Sequence, residues 1–285
     1  MNIFNSWQYW TILYLISSII FARAFKKANR NMKNAGLLTI LIEFFTAIFA
    51  IFLIPFFEFK FTTDLNIYLI LFVVTILYAV TDRLNIEARY GLDPSIFSML
   101  KQSSTVYLII FGFIFLKEEF LINKLIGSIV IILANLILFF EKGKFKINKY
   151  YVLTFISNLL FAIAMLINVN ISENFNLAIY TIFTVLIPAF YIFIFGKHTI
   201  KGLVTEFNLY DKKCFILSGF TWCLMLISSV KAYQVGSVTI VASLLSLTGI
   251  INALIEYFFY HDKSKFKQKI IAAILTVIGV ILIKS

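Results

Sequence analysis

The sequence predicts an all-α integral membrane protein with ten transmembrane helices in two inverted five-helix repeats. Three observations carry that expectation. Of the 285 residues, 61% are hydrophobic and 14% charged, with a mean hydropathy of +0.94, a balance that a water-soluble domain of this size does not have. The apolar residues gather into ten runs, and a spanning helix needs about 20 such residues because each rises about 1.5 Å across a hydrocarbon core about 30 Å thick. The layout of the first half returns in the second at an offset of 144 residues.

Segments one to five are Trp7 to Phe25, Ala35 to Phe57, Asn66 to Leu84, Pro94 to Leu116 and Phe120 to Phe140. Segments six to ten are Tyr150 to Ile171, Leu177 to Phe195, Cys214 to Tyr233, Val238 to Tyr260 and Ile270 to Ile283. Each is bounded by charge or turn residues, and irregular backbone cannot face lipid, so helix is the economical reading of every run. The first charges, Arg23, Lys26 and Lys27, follow the first apolar run instead of preceding it, so segment one reads as a retained helix and not a cleavable signal. Ten segments with short connections use nearly the whole chain, and no room remains for a soluble catalytic domain.

Abundant Phe, Ile, Lys, Asn and Tyr beside only 11 Gly and 3 Pro is the bias of an AT-rich genome. The net charge of +11 therefore matters through its placement: Lys and Arg near segment ends read as topology signals and not as a nucleic-acid surface. Cys214 and Cys223, nine positions apart in one helix, fall on opposite faces and cannot pair. No Cys and His spacing suggests a metal site, and no cofactor is expected.

The offset of 144 lays segment four on segment nine, so that Leu116-Lys117-Glu118-Glu119 matches Tyr260-His261-Asp262-Lys263, and Asn135 matches Gly279. Five is odd, so a second copy enters the membrane from the opposite side, dividing the chain into repeats 1–144 and 145–285. In many secondary transporters of this plan the substrate site lies between the halves. With Phe115 to Glu119 and Gly127 in one half, and Phe259 to Asp262 and Gly279 in the other, the chain resembles the drug/metabolite transporter superfamily, in particular its EamA-type ten-helix permeases. Lys117 and His261 stand where that family usually has Gly before the acidic residue. The resemblance implies transport of small organic metabolites, with termini inside. Most Lys and Arg lie in the loops after segments one, three, five, seven and nine, which by the positive-inside rule puts those loops in the cytoplasm and the termini outside. Both orientations stay open at this stage.

Charges in the hydrocarbon core are costly and mark function. Glu43 in segment two and Lys101 in segment four have similar depths, roughly 10 to 12 Å from one surface, and could meet. Glu256 near the end of segment nine, and Asp82 and Arg83 at the end of segment three, are expected either to act in coupling or gating or to be solvated by snorkelling. Helical spacing places Ser98, Lys101, Gln102, Thr105 and Gly112 on one stripe of segment four. Ala242, Leu245, Ser246, Gly249 and Glu256 share one on segment nine with Asn252 at its margin, and Gly36, Thr39, Glu43, Thr46, Ala47 and Ala50 share one on segment two. The substrate-binding candidates are Lys101, Glu43, Gln102, Ser98, Thr105, Ser246 and Asn252, and the coupling or gate candidates are Glu256 and Asp82. Close helix packing is an equal reading for Ser98, Thr105, Thr39 and Ser246. Asn158, Asn168 and Lys231 have no partner the sequence names.

The expected function is a secondary transporter in the cytoplasmic (inner) membrane, not an enzyme. Lys101 would attract the carboxylate or phosphate of a small metabolite, and Glu43 would pair with Lys101, accept an amine or carry a coupling proton. Its partners are a small-molecule substrate and the lipid bilayer, with no nucleic acid, in a monomer or homodimer. A flippase for a lipid-linked metabolite is the nearest alternative. A membrane-embedded enzyme fits less well, because the Asp82 to Arg89 stretch has no second acidic cluster facing it.

Overall fold

The computed structural model describes residues 6–104, 106–107, 110–111, 122–141, 144–145, 147–168, 171–235, 241, 244–245, 247–261 and 265–284. Thr105, Gly112, Phe115 to Glu119, Ala242, Ser246 and Asp262 lie outside them. The described helices are α1 (Trp7–Ala28), α2 (Ala35–Leu53), α3 (Leu65–Gly91), α4 (Pro94–Leu100), α5 (Ile122–Phe139), α6 (Lys149–Asn168), α7 (Leu177–Phe195), α8 (Ile200–Asn208), α9 (Lys212–Val235), α10 (Thr248–Phe259) and α11 (Phe266–Lys284). Apart from helix the described residues hold one two-residue ladder, Phe140–Glu141 against Lys144–Phe145.

Among the described residues, five helices are long and apolar enough to cross a membrane: Ala35–Phe56, Leu65–Gly91, Leu177–Phe195, Lys212–Val235 and Phe266–Ile283. Polarity runs inside out. Ile271, Ile274, Ile278 and Ile281 line the exposed face of α11, and Leu69, Phe72, Val73, Ile76 and Val80 that of α3. Thr39, Glu43, Thr46, Thr75, Ser95 and Asn158 are buried. Water would reverse that pattern, whereas lipid favours it.

The helix starts follow from side chains that satisfy orphan amides. Asn34 accepts from the Gly36 and Leu37 amides at α2, Asp64 from Asn66 at α3, and Asn176 from Ala178 and Ile179 at α7. The Asn176 amide also donates to the carbonyls of Ile54, Phe57 and Glu58, which ties the far ends of α2 and α7. The helices pack in pairs: α1 along α9, α2 along α7, α3 along α6, α4 on α10 and α5 along α11. Gly127 and Gly279 make the last pair close, since a Cβ on Gly127 would lie 2.5 Å from the Gly279 carbonyl oxygen.

Three boundaries differ from the sequence expectation. Segment three does not stop at Leu84 but runs to Gly91, because its polar end is itself helix-compatible: Arg83 pairs with Glu87 at 2.8 Å, and Arg89 Nε donates to Asn85 Oδ1 at 3.0 Å, both one turn apart. Asp82 is therefore mid-helix. Segment four is not one unbroken helix. Its first part ends at Leu100, and Lys101–Gln102 form a turn in which the Gln102 amide bonds Met99 O and the Ser104 amide bonds Lys101 O. Segment nine likewise has a turn at Leu247, whose amide bonds Leu244 O. The connection between segments seven and eight contains an additional helix, α8, capped by Thr199.

Candidate functional site

Among the described residues, two clusters of several charged side chains lie inside the helix assembly, apart from the buried Glu206 of α8. The inner group comprises Glu43 on α2, Asp82 and Arg89 on α3, and Lys101 at the break after α4. Glu43 is 2% exposed, and neither carboxyl oxygen meets an N–H or O–H donor among the described residues. The group it faces is the Asp82 carboxyl. The Lys101 ammonium and the Arg89 guanidinium act on Asp82 electrostatically, and the Lys101 ammonium sits 5.4 Å from the centre of the Phe161 ring. Asp82, Arg89 and Lys101 are half-buried, and none lies within ion-pair distance of another.

No direct contact joins Glu43 to Lys101 among the described residues, and Asp82 of α3 belongs to the same group. The sequence reading set Asp82 at a helix end, and the seven further helical residues up to Arg89 carry it inward. Gln102 lies beside Lys101 in the turn, half-buried.

Arg89 is held unusually firmly for a cation in this setting. Its guanidinium lies over Phe97 at 4.1 Å, Phe21 at 5.0 Å and Trp222 at 5.1 Å from the ring centres. Phe21 and Trp222 pack on each other at 4.7 Å, and Tyr14 acts on the same guanidinium. A small cavity lined by Ala22, Phe25, Arg89, Pro94 and Phe97 adjoins it, of the size that holds about one water.

The second group is centred on Glu256, which is 4% exposed. Its Oε1 accepts the Ser95 amide at 3.1 Å and Arg23 Nη1 at 3.5 Å, and its Oε2 accepts Ser95 Oγ at 2.5 Å and Lys269 Nζ at 2.8 Å. Glu256 thus supplies the carboxylate at the start of α4, where amides lack helical partners. Asp93, the residue at the cap position, turns to Lys269 at 3.3 Å and Lys26 at 3.2 Å instead. Arg23 Nη2 also donates to Asn252 O at 2.9 Å and Oδ1 at 3.2 Å, and Asn252 Nδ2 donates to Ser98 Oγ at 3.1 Å. One network thereby joins α1, α4, α10 and α11.

Glu256 is consequently not a solvated end residue: Ser95, Arg23 and Lys269 satisfy it in the interior. Ser98 and Asn252 belong to this network and not to the inner group. Thr105 and Ser246 lie outside the described residues. Asn158 does have partners, since its Nδ2 donates to Leu100 O at 3.0 Å and Ser103 Oγ at 2.9 Å across the break. Sequence reading missed Arg23, Arg89 and Lys269 as site residues because it counted them among the loop charges. The available signal was helical phase: Asp82 and Arg89 are seven apart and share a face. Lys269 is 1% exposed, and nothing in its local sequence distinguishes it from the other lysines of its loop. Among the described residues no His, Cys, Asp and Glu cluster has metal-ligand geometry.

No family model matches the chain, and no curated protein matches it. Among solved structures, 23 chains match. One crystal structure superposes with a TM-score of 0.59 at 11% identity, over 97% of this chain and 96% of its own. At that identity the likeness concerns the fold alone, and over nearly the full length of both chains.

Proposed function

We propose that the chain is a secondary active transporter that moves a small organic carboxylate or zwitterion across the cytoplasmic membrane by alternating access. In this reading ten spans form two inverted repeats, 1–144 and 145–285, as in the EamA-type permeases of the drug/metabolite transporter superfamily. The packing supports the repeat. Exchanging each segment with the one five places away returns the same set of neighbours: α2 with α7, α4 with α10 and α5 with α11 map onto themselves, and α1 with α9 maps onto α3 with α6. The breaks at Lys101–Gln102 and Leu247 fall in the two segments that correspond under the 144 offset, and discontinuous helices at a repeat interface are where such transporters bind substrate.

The observation that carries the reading is the inner group itself. Four ionisable side chains converge between helices that are apolar on their outer faces, and the charged heads are held apart instead of being consumed in ion pairs. A purely structural charge in lipid would be paired directly. The Glu256 network joins helices of both repeats on the side of the basic loops and serves as the closure of that side, with its ion pairs breaking when access alternates. The positive-inside rule makes it the cytoplasmic side. Asp82 and Glu43 form the proton-coupling pair.

The test is solute uptake by proteoliposomes carrying the purified protein, screened with amino acids and small carboxylates under an imposed proton gradient. Lys101→Gln should abolish the uptake found, with its elution on size exclusion unchanged. Uptake no greater than in protein-free vesicles across the panel, or undiminished in Lys101→Gln, would refute the proposal.

A further inference from the structure

We infer that Arg89, held in its cage of Phe21, Phe97 and Trp222, is the anchor for the substrate's carboxylate. This deepens the transport reading and rests on it.

The geometry separates two uses of the guanidinium. Its faces lie over aromatic rings, at 4.1 Å for the nearest, while the N–H donors lie in the guanidinium plane and stay available at its edge. Nε spends its hydrogen on Asn85. The two remaining nitrogens have no acceptor among the described residues, and their side chain is half-buried beside a cavity. A planar fork fixed by stacking, with two parallel donors unspent, matches a carboxylate bidentately. Pre-organisation of this kind spares the ordering entropy that a flexible lysine would lose on binding. Lys101 contributes attraction as a point charge, and Arg89 sets direction.

Trp222, one wall of the cage, is the reporter. In the Trp7→Phe/Trp10→Phe protein, Trp222 emission is followed in detergent during titration with sodium acetate, benzoate and L-leucine against sodium chloride at constant ionic strength. At least one carboxylate should give a saturable change that chloride does not. Arg89→Gln and Arg89→Lys should each weaken it by about tenfold or more. Variants are compared after size exclusion and circular dichroism, and the two Arg89 variants guard against a single misfolded one. No response below about 10 mM or wild-type binding in Arg89→Gln would overturn the inference. Flux of the bound carboxylate into proteoliposomes separates the two readings: binding without flux refutes transport and leaves the anchor standing, whereas flux insensitive to Arg89→Gln does the reverse.

Discussion

Replacing Glu256 by Gln removes the charge at the centre of the outer network while keeping its shape. In the wild type Glu256 takes four contacts: two from Ser95, one from Arg23 and one from Lys269. Stranding a buried charge altogether costs about 3–5 kcal/mol. The stranding here is partial, because Lys269 keeps Asp93 at 3.3 Å and Arg23 keeps Asn252 at 2.9 and 3.2 Å. A single neutral hydrogen bond is worth about 1 kcal/mol, so the expected loss lies between these limits, at about 2–3 kcal/mol. That corresponds to a fall in melting temperature of about 3–5 °C for a chain of this size. Lys269→Gln added to Glu256→Gln should cost less than the sum of the two single changes, with a coupling of about 1 kcal/mol or more. The companion assay places a cysteine at Ala22, beside the network, in a Cys214→Ser/Cys223→Ser background, and measures labelling by a membrane-impermeant maleimide. Glu256→Gln should speed labelling, since the closure is weakened. A melting temperature within about 1 °C of wild type together with unchanged labelling would refute the closure.

Asn158→Leu removes the two donations that hold the break after α4 and should cost about 1–3 kcal/mol, read as a lower melting temperature with loss of uptake; unaltered uptake would detach the break from function. Gly279→Ala would set its Cβ 2.7 Å from Ile131 Cγ1 and 2.8 Å from the Gly127 carbonyl oxygen. The α5 and α11 backbones must separate, at about 1–3 kcal/mol, again checked by thermal unfolding. His198, in the turn before α8, is held below the usual histidine range by burial and by Arg83. The unfolded chain therefore binds its proton more readily, so stability is full above about pH 6.5 and falls as pH drops through that region. His198→Asn should flatten the melting temperature between about pH 7.5 and pH 5.5.

Helix existence was legible because lipid imposes a crude requirement, a long apolar run, that single residues satisfy without reference to neighbours. The inward stripe of α2 was legible for the same reason: Thr39, Glu43, Thr46, Ala47 and Ala50 share a helical phase, and all are buried. Ends and partners were not. The polar stretch from Asp82 to Arg89 looks like a loop when only hydropathy is weighed, and becomes helix because its side chains satisfy one another one turn apart. Lys269 and Lys267 are equivalent lysines in sequence, yet Lys269 lies in the interior. Only the approach of Glu256 and Asp93 from distant parts of the chain distinguishes them.

The closure and the cage share a helix, and this links opening to binding. Within α4, Ser95 and Ser98 belong to the Glu256 network, while Phe97 between them stacks on Arg89 at 4.1 Å. A seven-residue helix beginning at Pro94 moves as a unit, so releasing Ser95 from Glu256 displaces Phe97 from the guanidinium it holds. On the transport reading, Glu256→Gln should therefore weaken carboxylate binding at Arg89 even though residue 256 is not part of the cage. The weakening should appear in Trp222 emission, and Phe97→Leu, which removes the ring while leaving the closure intact, should reproduce it without faster labelling at position 22. If Glu256→Gln speeds labelling but leaves the titration unchanged, the two groups are independent and α4 does not couple them.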